Sequence, residues 1–377
     1  MKTRPVNKFI MVVMIVAAFV FALLLFLTGA LPLTAFAIFA VLELLILVGI
    51  TKLLSGRGFA SFMGVLLALC LIVVNGLGSL ALAGSYGSLR AIFGGSGGAS
   101  RVMTAVSPFN VYISGTDTEG EQVPVNSRSD VNLIATVNPL KKEILLTSIP
   151  RDYYVETVCE PDMGCMNGQM DKLTHTGLHG VETTEMTLEK LLGITINYNA
   201  KINFASLTNV VNELGGVDLY NPNEFTSTHG NYYFPVGNIH LSGEEVIGFV
   251  RERYSFADGD RERGRNQMRV LTAIINKAAS PSSLGNLPAI LSSASETVQT
   301  NMTIGDMAGV AMSQLFGGHW TIYQYSLTGP GGTDYAAELG DNAYVMYQDA
   351  DSIAQGKANI EAVEKGEKPP YASLASE

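Results

Sequence analysis

The sequence predicts an α/β domain, a sheet covered by helices, preceded by three transmembrane helices. Three observations carry that expectation. Residues 1–84 hold three long apolar runs, and from about residue 107 short runs of β-branched residues alternate with segments of helical period. The 377 residues are also 47% hydrophobic and only 15% charged, too apolar for a chain wholly in water.

The apolar runs cover residues 9–27, 31–50 and 59–83, each near the roughly 20 residues that cross a hydrocarbon core of about 30 Å. Lys2, Arg4 and Lys8 precede the first, Lys52 and Arg57 separate the second from the third, and the joint at 28–30 is uncharged. Positive charge collects on the cytoplasmic side, so the amino terminus is expected inside and everything after Ala83 outside, in the cell membrane's exterior space. A cleaved signal peptide is the alternative for the first run, and it too leaves the following domain outside. Glu43 lies in the second run, where an ionisable group is costly. It is expected to pair the spans by a hydrogen bond, and Asn75 with Gly76 and Gly78 suits close helix packing.

Residues 85–106 are rich in Gly and Ser and read as a flexible linker. No Gly-Lys-Ser/Thr follows, so this is not a phosphate loop. The exterior domain is expected over 107–355. Strands are predicted at 109–115, 131–137 and 143–149, the last two an antiparallel pair joined through Asn138-Pro139-Leu140-Lys141-Lys142. Helices follow at 184–192, at 204–214 closed by Gly215-Gly216, at 243–253 opened by the Ser242/Glu245 capping-box pattern, and at 265–279. A helix at 304–315 and a strand at 320–326 complete the layout, and the polar residues 356–377 read as a mobile tail.

A net charge of -10 argues against general attraction to nucleic acid, so any polyanion site must be local. Of three cysteines, Cys159 and Cys165 lie close together in a polar stretch. An exterior disulfide loop is the expectation; a zinc half-site is the alternative, without a second ligand pair to complete it.

Arg251, Arg253, Arg261, Arg263, Arg265 and Arg269 crowd into one short stretch of an otherwise acidic chain. Converging guanidinium forks would hold a pyrophosphate, whereas alternating charges on a solvated surface are the plain alternative. Arg263 and Gln267, four apart, share a helical face if the helix extends back. Ser148-Ile149-Pro150-Arg151-Asp152 ends a strand, where sheets present ligand-binding groups, but a surface ion pair at a turn fits as well. Asp117 follows one strand while Arg128 and Asp130 precede the next. Two carboxylates at adjacent strand ends suit Mg2+, and Asp117 equally suits a turn. His175 is either a substrate contact or a hydrogen-bonded structural residue.

Taken in order, Asn132-Leu133-Ile134-Ala135-Thr136-Val137-Asn138-Pro139, Ser148-Ile149-Pro150-Arg151-Asp152, Asp171-Lys172-Leu173-Thr174-His175, Leu214-Gly215-Gly216-Val217, Val250-Arg251-Glu252-Arg253-Tyr254 and Arg263-Gly264-Arg265-Asn266-Gln267 resemble the LytR-CpsA-Psr pattern over about residues 107–349. The three leading spans are similar to its capsule-associated CpsA branch, although only the short Gly-rich linker stands where an additional domain often lies, and Thr118-Glu119 stands where relatives carry a basic residue. The resemblance implies an αβα domain that buries a polyprenyl chain in an apolar tunnel. It further implies that Arg128, Arg151, Arg251, Arg253, Arg263, Arg265 and Gln267 bind the pyrophosphate, and that Asp117 and Asp130 hold Mg2+. Asp260 would join the same polar network, with Asp130 or Asp260 accepting a proton beside Arg151 in catalysis. The implied activity moves a polyprenyl-pyrophosphate-linked cell-wall or capsular polysaccharide onto peptidoglycan through a phosphodiester or a glycosidic bond. Polyprenyl pyrophosphate hydrolysis and cell-envelope signalling or transcription attenuation are the competing expectations. No basic helix-turn-helix supports direct DNA control.

Overall fold

A computed structural model describes residues 5–28, 33–56, 58–92, 107–116, 123–257, 259–280, 298–302, 306, 310 and 320–375. The chain divides into two units, residues 1–90 with 303–309 and residues 91–302 with 310–377.

In the first unit α1 (Pro5–Thr28), α2 (Leu33–Leu54) and α3 (Phe59–Ile92) are each long and apolar enough to cross a membrane. Polar side chains join them: Asn75 Nδ2 donates to Glu43 Oε1 at 3.0 Å, and Asn7 Nδ2 donates to the Leu54 carbonyl at 2.7 Å and to Ser61 Oγ at 2.9 Å. Gly78 sits directly against the Phe21 ring, while a Cβ on Gly76 would meet nothing. Helix α3 runs to Ile92, so the linker expectation is corrected for residues 85–92, and residues 93–106 lie outside those described.

The second unit is built on a seven-stranded mixed sheet. Its first strands are β1 (Phe109–Thr116), β2 (Val131–Asn138) and β3 (Glu143–Ser148). Next in chain order come β4 (Tyr154–Glu156), β5 (Met170–Lys172), α4 (Leu173–Thr176), α5 (Val181–Leu192), β6 (Tyr198–Asn203) and α6 (Phe204–Glu213). The paired strands β7 (Val217–Asn221) and β10 (Gly237–Leu241) enclose β8 (Phe225–Thr226) and β9 (Tyr233–Phe234). Helices α7 (Gly243–Arg251) and α8 (Asp260–Ala278) follow, then β11 (Val298–Thr300), β12 (Thr321–Ser326), the hairpin β13 (Gly331–Ala336) and β14 (Asp341–Met346), α9 (Ala350–Lys365) and β15 (Ser373–Leu374). Strand order is β11-β6-β1-β2-β3-β12-β15, with β1 parallel to β6, β3 parallel to β12, and the predicted β2–β3 pair antiparallel from Leu133 opposite Ser148 to Asn138 opposite Glu143.

Strand alternation explains the layering. Leu133, Ala135 and Val137 pack with Met268 and Leu271 of α8 on one face, while Ile134 packs with Leu188 of α5 and Ile360 and Val363 of α9 on the other. The polar members of the same strand are tied into the structure: Asn132 Oδ1 accepts from Tyr112 Oη at 2.6 Å, Thr136 Oγ1 donates to Asn110 Oδ1 at 2.7 Å, and Asn138 Nδ2 donates to the Val363 carbonyl at 2.8 Å. The Leu214-Gly215-Gly216-Val217 motif is a backbone device. Gly215 and Gly216 take φ of 74° and 86° to turn α6 into β7, a conformation in which a Cβ is strained.

Several expected bounds move. Helix α5 begins at Val181, α8 begins at Asp260, and α7 ends at Arg251, so Arg253 is not helical. The predicted helix at 304–315 lies outside the described residues apart from Asp306 and Val310. The mobile-tail expectation is overturned: α9 spans Ala350–Lys365, capped by the Asp349 side chain and by Gly366 in the left-handed region, and β15 pairs with β12. Its core stripe is sparse, which hid it among Ala, Lys and Glu. Cys159 and Cys165 are joined by a disulfide.

Glu185 on α5 yields a test of this packing. Burial pushes its carboxyl up to about 7, opposed by the hydrogen bond from Asn199 Nδ2 at 3.0 Å and reinforced by Glu182 and Glu189. The folded state therefore holds a proton that the unfolded chain releases above its ordinary value of 4.5, and stability falls as pH rises from there through about 7. Glu185→Gln is expected to stabilise the protein at pH 8 by at most about 3 kcal/mol, with the gain in thermal midpoint disappearing below pH 4.5.

Candidate functional site

The end of β3 builds the first part of the site. Pro150 halts the strand, Tyr153 N–H closes the turn onto the Pro150 carbonyl at 3.0 Å, and Thr174 N–H binds the Arg151 carbonyl at 2.8 Å. Arg151 Nη1 thereby reaches Asp130 Oδ1 at 2.5 Å, just before β2, while Lys172 Nζ holds Asp152 Oδ1 at 3.1 Å. The segment behind this turn is anchored by Asp171, whose Oδ1 meets His175 Nδ1 at 2.7 Å and whose Oδ2 accepts the Glu338 N–H at 2.8 Å. Burial pushes the Asp171 carboxyl up, but the bonds from His175, Glu338 and Lys172 leave it below the usual range. His175 is buried there and does not line the cavity.

The second part comes from the turn after α7. Glu252, 1% exposed, accepts the N–H of Thr228 at 2.5 Å, of Tyr254 at 2.8 Å and of Ser255 at 2.9 Å, and the Thr228 hydroxyl at 2.9 Å. Flanking this buried carboxylate, Arg251 and Arg253 are presented to the cavity. Arg251 stacks over the Phe204 ring at 4.9 Å and meets His229 Nδ1 at 3.4 Å, and Arg253 lies over the Tyr254 ring at 4.6 Å. Phe204 is placed by the Asn203 cap of α6, whose Oδ1 accepts the Ser206 N–H at 2.9 Å.

Helix α8 supplies the third part. Asn266 Nδ2 and Gln267 Nε2 donate to the Phe249 and Val250 carbonyls at 3.4 Å, carbonyls near the end of α7 that have few helical partners. Buried Glu262 receives Arg265 and Arg269, each at 2.6 Å, and Asn223 Nδ2 at 3.0 Å.

These elements enclose a cavity of about 370 Å³ lined by Asp130, Arg151, Arg251, Arg253, Arg263 and Gln267, with Gly115, Val131, Phe204, Thr228, His229, Val250 and Tyr254. Next to it lies a second space of about 260 Å³ whose wall is almost wholly apolar, including Ile113, Leu133, Ile202, Leu207, Val210, Val270, Leu271 and Ile274. Gly115, Val131, Phe204, Val250 and Gln267 line both, so the guanidinium cluster stands at the rim of the apolar space. Gly115 permits this closeness, because a Cβ there would meet Val131 Cγ2 at 2.8 Å.

Not every candidate gathers here. Arg128 is exposed on the loop before β2 and lines neither space; Arg265 turns toward Glu262 and a side recess. Asp117 lies outside the described residues, and so does the side chain of Asp260. Sequence reasoning missed Phe204, Thr228 and His229 as site residues, and it gave Glu252, present in the Val250–Tyr254 motif, no role of its own. Among the described residues no group of three His, Cys, Asp or Glu side chains is arranged to hold a metal ion.

Residues 96–361 match the LytR_cpsA_psr family. The chain belongs to that family. Within 206 residues it is 34% identical to an Enterococcus faecalis protein named polyisoprenyl-teichoic acid–peptidoglycan teichoic acid transferase TagU, a match covering 54% of this chain and 65% of that protein. The chain thus spans just under two thirds of the length of this relative. Among solved LytR_cpsA_psr-like structures, B. subtilis TagV superposes with a TM-score of 0.57 at 27% identity, covering 70% of this chain and 99% of that one. TagT bound to LI-WTA superposes with a TM-score of 0.55 at 27% identity, covering 71% and 94%. The αβα domain of this LytR_cpsA_psr member is therefore the fold those structures share.

Proposed function

We propose that this protein transfers a glycopolymer from a polyprenyl pyrophosphate carrier to peptidoglycan, with the catalytic domain outside the membrane and the amino terminus in the cytoplasm. One observation carries the reading: five guanidinium and amide side chains meet at a cavity that shares its wall with an apolar space. That pairing suits a ligand with a doubly phosphorylated head and a hydrocarbon tail. The name of one relative, a polyisoprenyl-teichoic acid–peptidoglycan teichoic acid transferase, supports the same class. A teichoic acid or a capsular polymer fits equally as cargo.

In this mechanism the acceptor hydroxyl oxygen forms a bond to the phosphorus nearer the polymer while the bridging P–O bond breaks and polyprenyl phosphate leaves. Arg151, Arg251, Arg253 and Arg263 bind the non-bridging oxygens and stabilise the charge that builds there, with Gln267 orienting the head at the rim. The hydroxyl proton passes to a carboxylate, for which Asp130 and Asp260 are the two candidates.

Asp130 also fits a hard divalent ion, since its carboxylate lines the cavity and offers oxygen donors. Asp130, with Asp117 as the resemblance implies, would hold Mg2+. When bound, the ion would neutralise charge on the pyrophosphate.

Mass spectrometry of lipid extracted from the purified full-length protein tests the assignment. A co-purified polyprenyl phosphate or pyrophosphate is expected. Only ordinary membrane phospholipid, at the level found for an unrelated membrane protein, would count against it.

A further inference from the structure

A third space, of about 50 Å³, adjoins the other two. It shares Asp130, Arg151, Arg263 and Gln267 with the arginine-lined cavity but only Gln267 with the apolar one. Of the two neighbours, the recess shares more of its wall with the arginine cavity and less with the apolar space. What distinguishes the recess is Arg261 and Arg265, which line it and not the arginine cavity. Arg261 is exposed and donates one N–H, from Nη2, to the Gly329 carbonyl at 3.2 Å, out of the five that a guanidinium carries. Arg265 is steered by its 2.6 Å contact with Glu262. Between them Gly264 keeps the recess open, since a Cβ there would already meet Ser148 Oγ at 3.3 Å.

Displacement at phosphorus places the attacking and leaving oxygens roughly in line. A polyprenyl phosphate leaving group remains anchored in the apolar space, so the nucleophile is expected from a side of the arginine cavity away from it, and the recess shares only Gln267 with the apolar wall. We infer that the recess is the acceptor subsite, where Arg261 and Arg265 hold a carboxylate of the peptide-bearing glycan strand and so position its hydroxyl. This rests on the transferase reading above. Among the described residues that line the recess, Arg151, Arg261, Arg263 and Arg265 stand with the single carboxylate of Asp130, which suits an anionic acceptor. Met346, at the end of the β13–β14 hairpin, completes the lining of the recess.

The test is binding of a soluble disaccharide-tripeptide muropeptide to the full chain in detergent, which needs no turnover. The Arg261→Ala/Arg265→Ala double variant is expected to bind it at least about tenfold more weakly, the scale of one lost charge-assisted hydrogen bond. Amidation of the muropeptide carboxylates should produce the same loss in the unsubstituted protein. Gly264→Leu, which fills the recess without removing a charge, should weaken binding too. Unchanged muropeptide affinity in both variants overturns the assignment. So does a loss confined to a glycerol phosphate oligomer, which would give the recess to the donor polymer. Binding of polyprenyl pyrophosphate is measured in parallel: its absence from the unsubstituted protein would sink the transferase reading while leaving the muropeptide result to decide the recess.

Discussion

Arg151→Ala and Arg263→Ala are each expected to lower polymer transfer by about 10²–10³-fold, the loss typical of removing one charge-stabilising donor from a transition state. Arg151 and Arg263 line both the cavity and the recess, which on the proposed reading puts them against the pyrophosphate. Folding should survive, because the Arg151 side chain is 28% exposed and the turn that carries it is held by backbone bonds to Thr174 and Pro150. Arg151→Lys is expected to recover little. A single ammonium cannot make the planar, two-pronged contact that lets Arg151 meet Asp130 and a phosphate oxygen at once. The measurement is attachment of labelled polymer to isolated sacculi, with circular dichroism and a thermal melt as controls for folding. Wild-type attachment by both alanine variants would remove the pyrophosphate assignment.

The sequence displayed these parts unequally, and the reason is distance along the chain. The sheet was legible because β2 and β3 are neighbours whose alternation and connecting turn are local features. Arg263 and Gln267 were legible as a pair because they are four residues apart on one helix. Nothing local reveals that Asp130 meets Arg151, or that Thr228 reaches Glu252 across 24 residues to end α7 two residues early. The arginine run looks the same whether its members converge or spread over solvent, and here it does both: Arg251, Arg253 and Arg263 enter the cavity while Arg269 binds Glu262. Helix α9 was read as a tail because its buried face rests on a few residues such as Ile360 and Val363, too few to mark a helical period among polar neighbours.

Glu252→Ala should have the largest effect on stability. Glu252 is 1% exposed, its carboxylate accepts three backbone N–H groups and one hydroxyl, and truncation removes all four bonds together. Hydrogen bonds to a charged group contribute about 1.5–3 kcal/mol each, and because Thr228, Tyr254 and Ser255 are exposed residues whose donors can turn to water, the total loss should be about 2–4 kcal/mol. Activity should fall further than stability, because Arg251 and Arg253 are presented by this turn. Burial alone would push the Glu252 carboxyl up; the N–H groups of Thr228, Ser255 and Tyr254 and the Thr228 hydroxyl outweigh it and hold the carboxyl below its ordinary 4.5. A depressed folded value means that the stabilisation is complete above 4.5 and is lost as pH falls through the folded value. Glu262 and Asp171, lowered by Arg269 and Arg265 and by His175, act in the same direction. Glu252→Gln keeps one acceptor oxygen and cannot titrate, so its thermal midpoint should lie between those of the alanine variant and the unsubstituted protein at pH 7 and should change less between pH 5 and pH 3. Melts of the three proteins across that range decide it: an alanine variant as stable as the parent at pH 7 would show that the turn holds itself without the carboxylate.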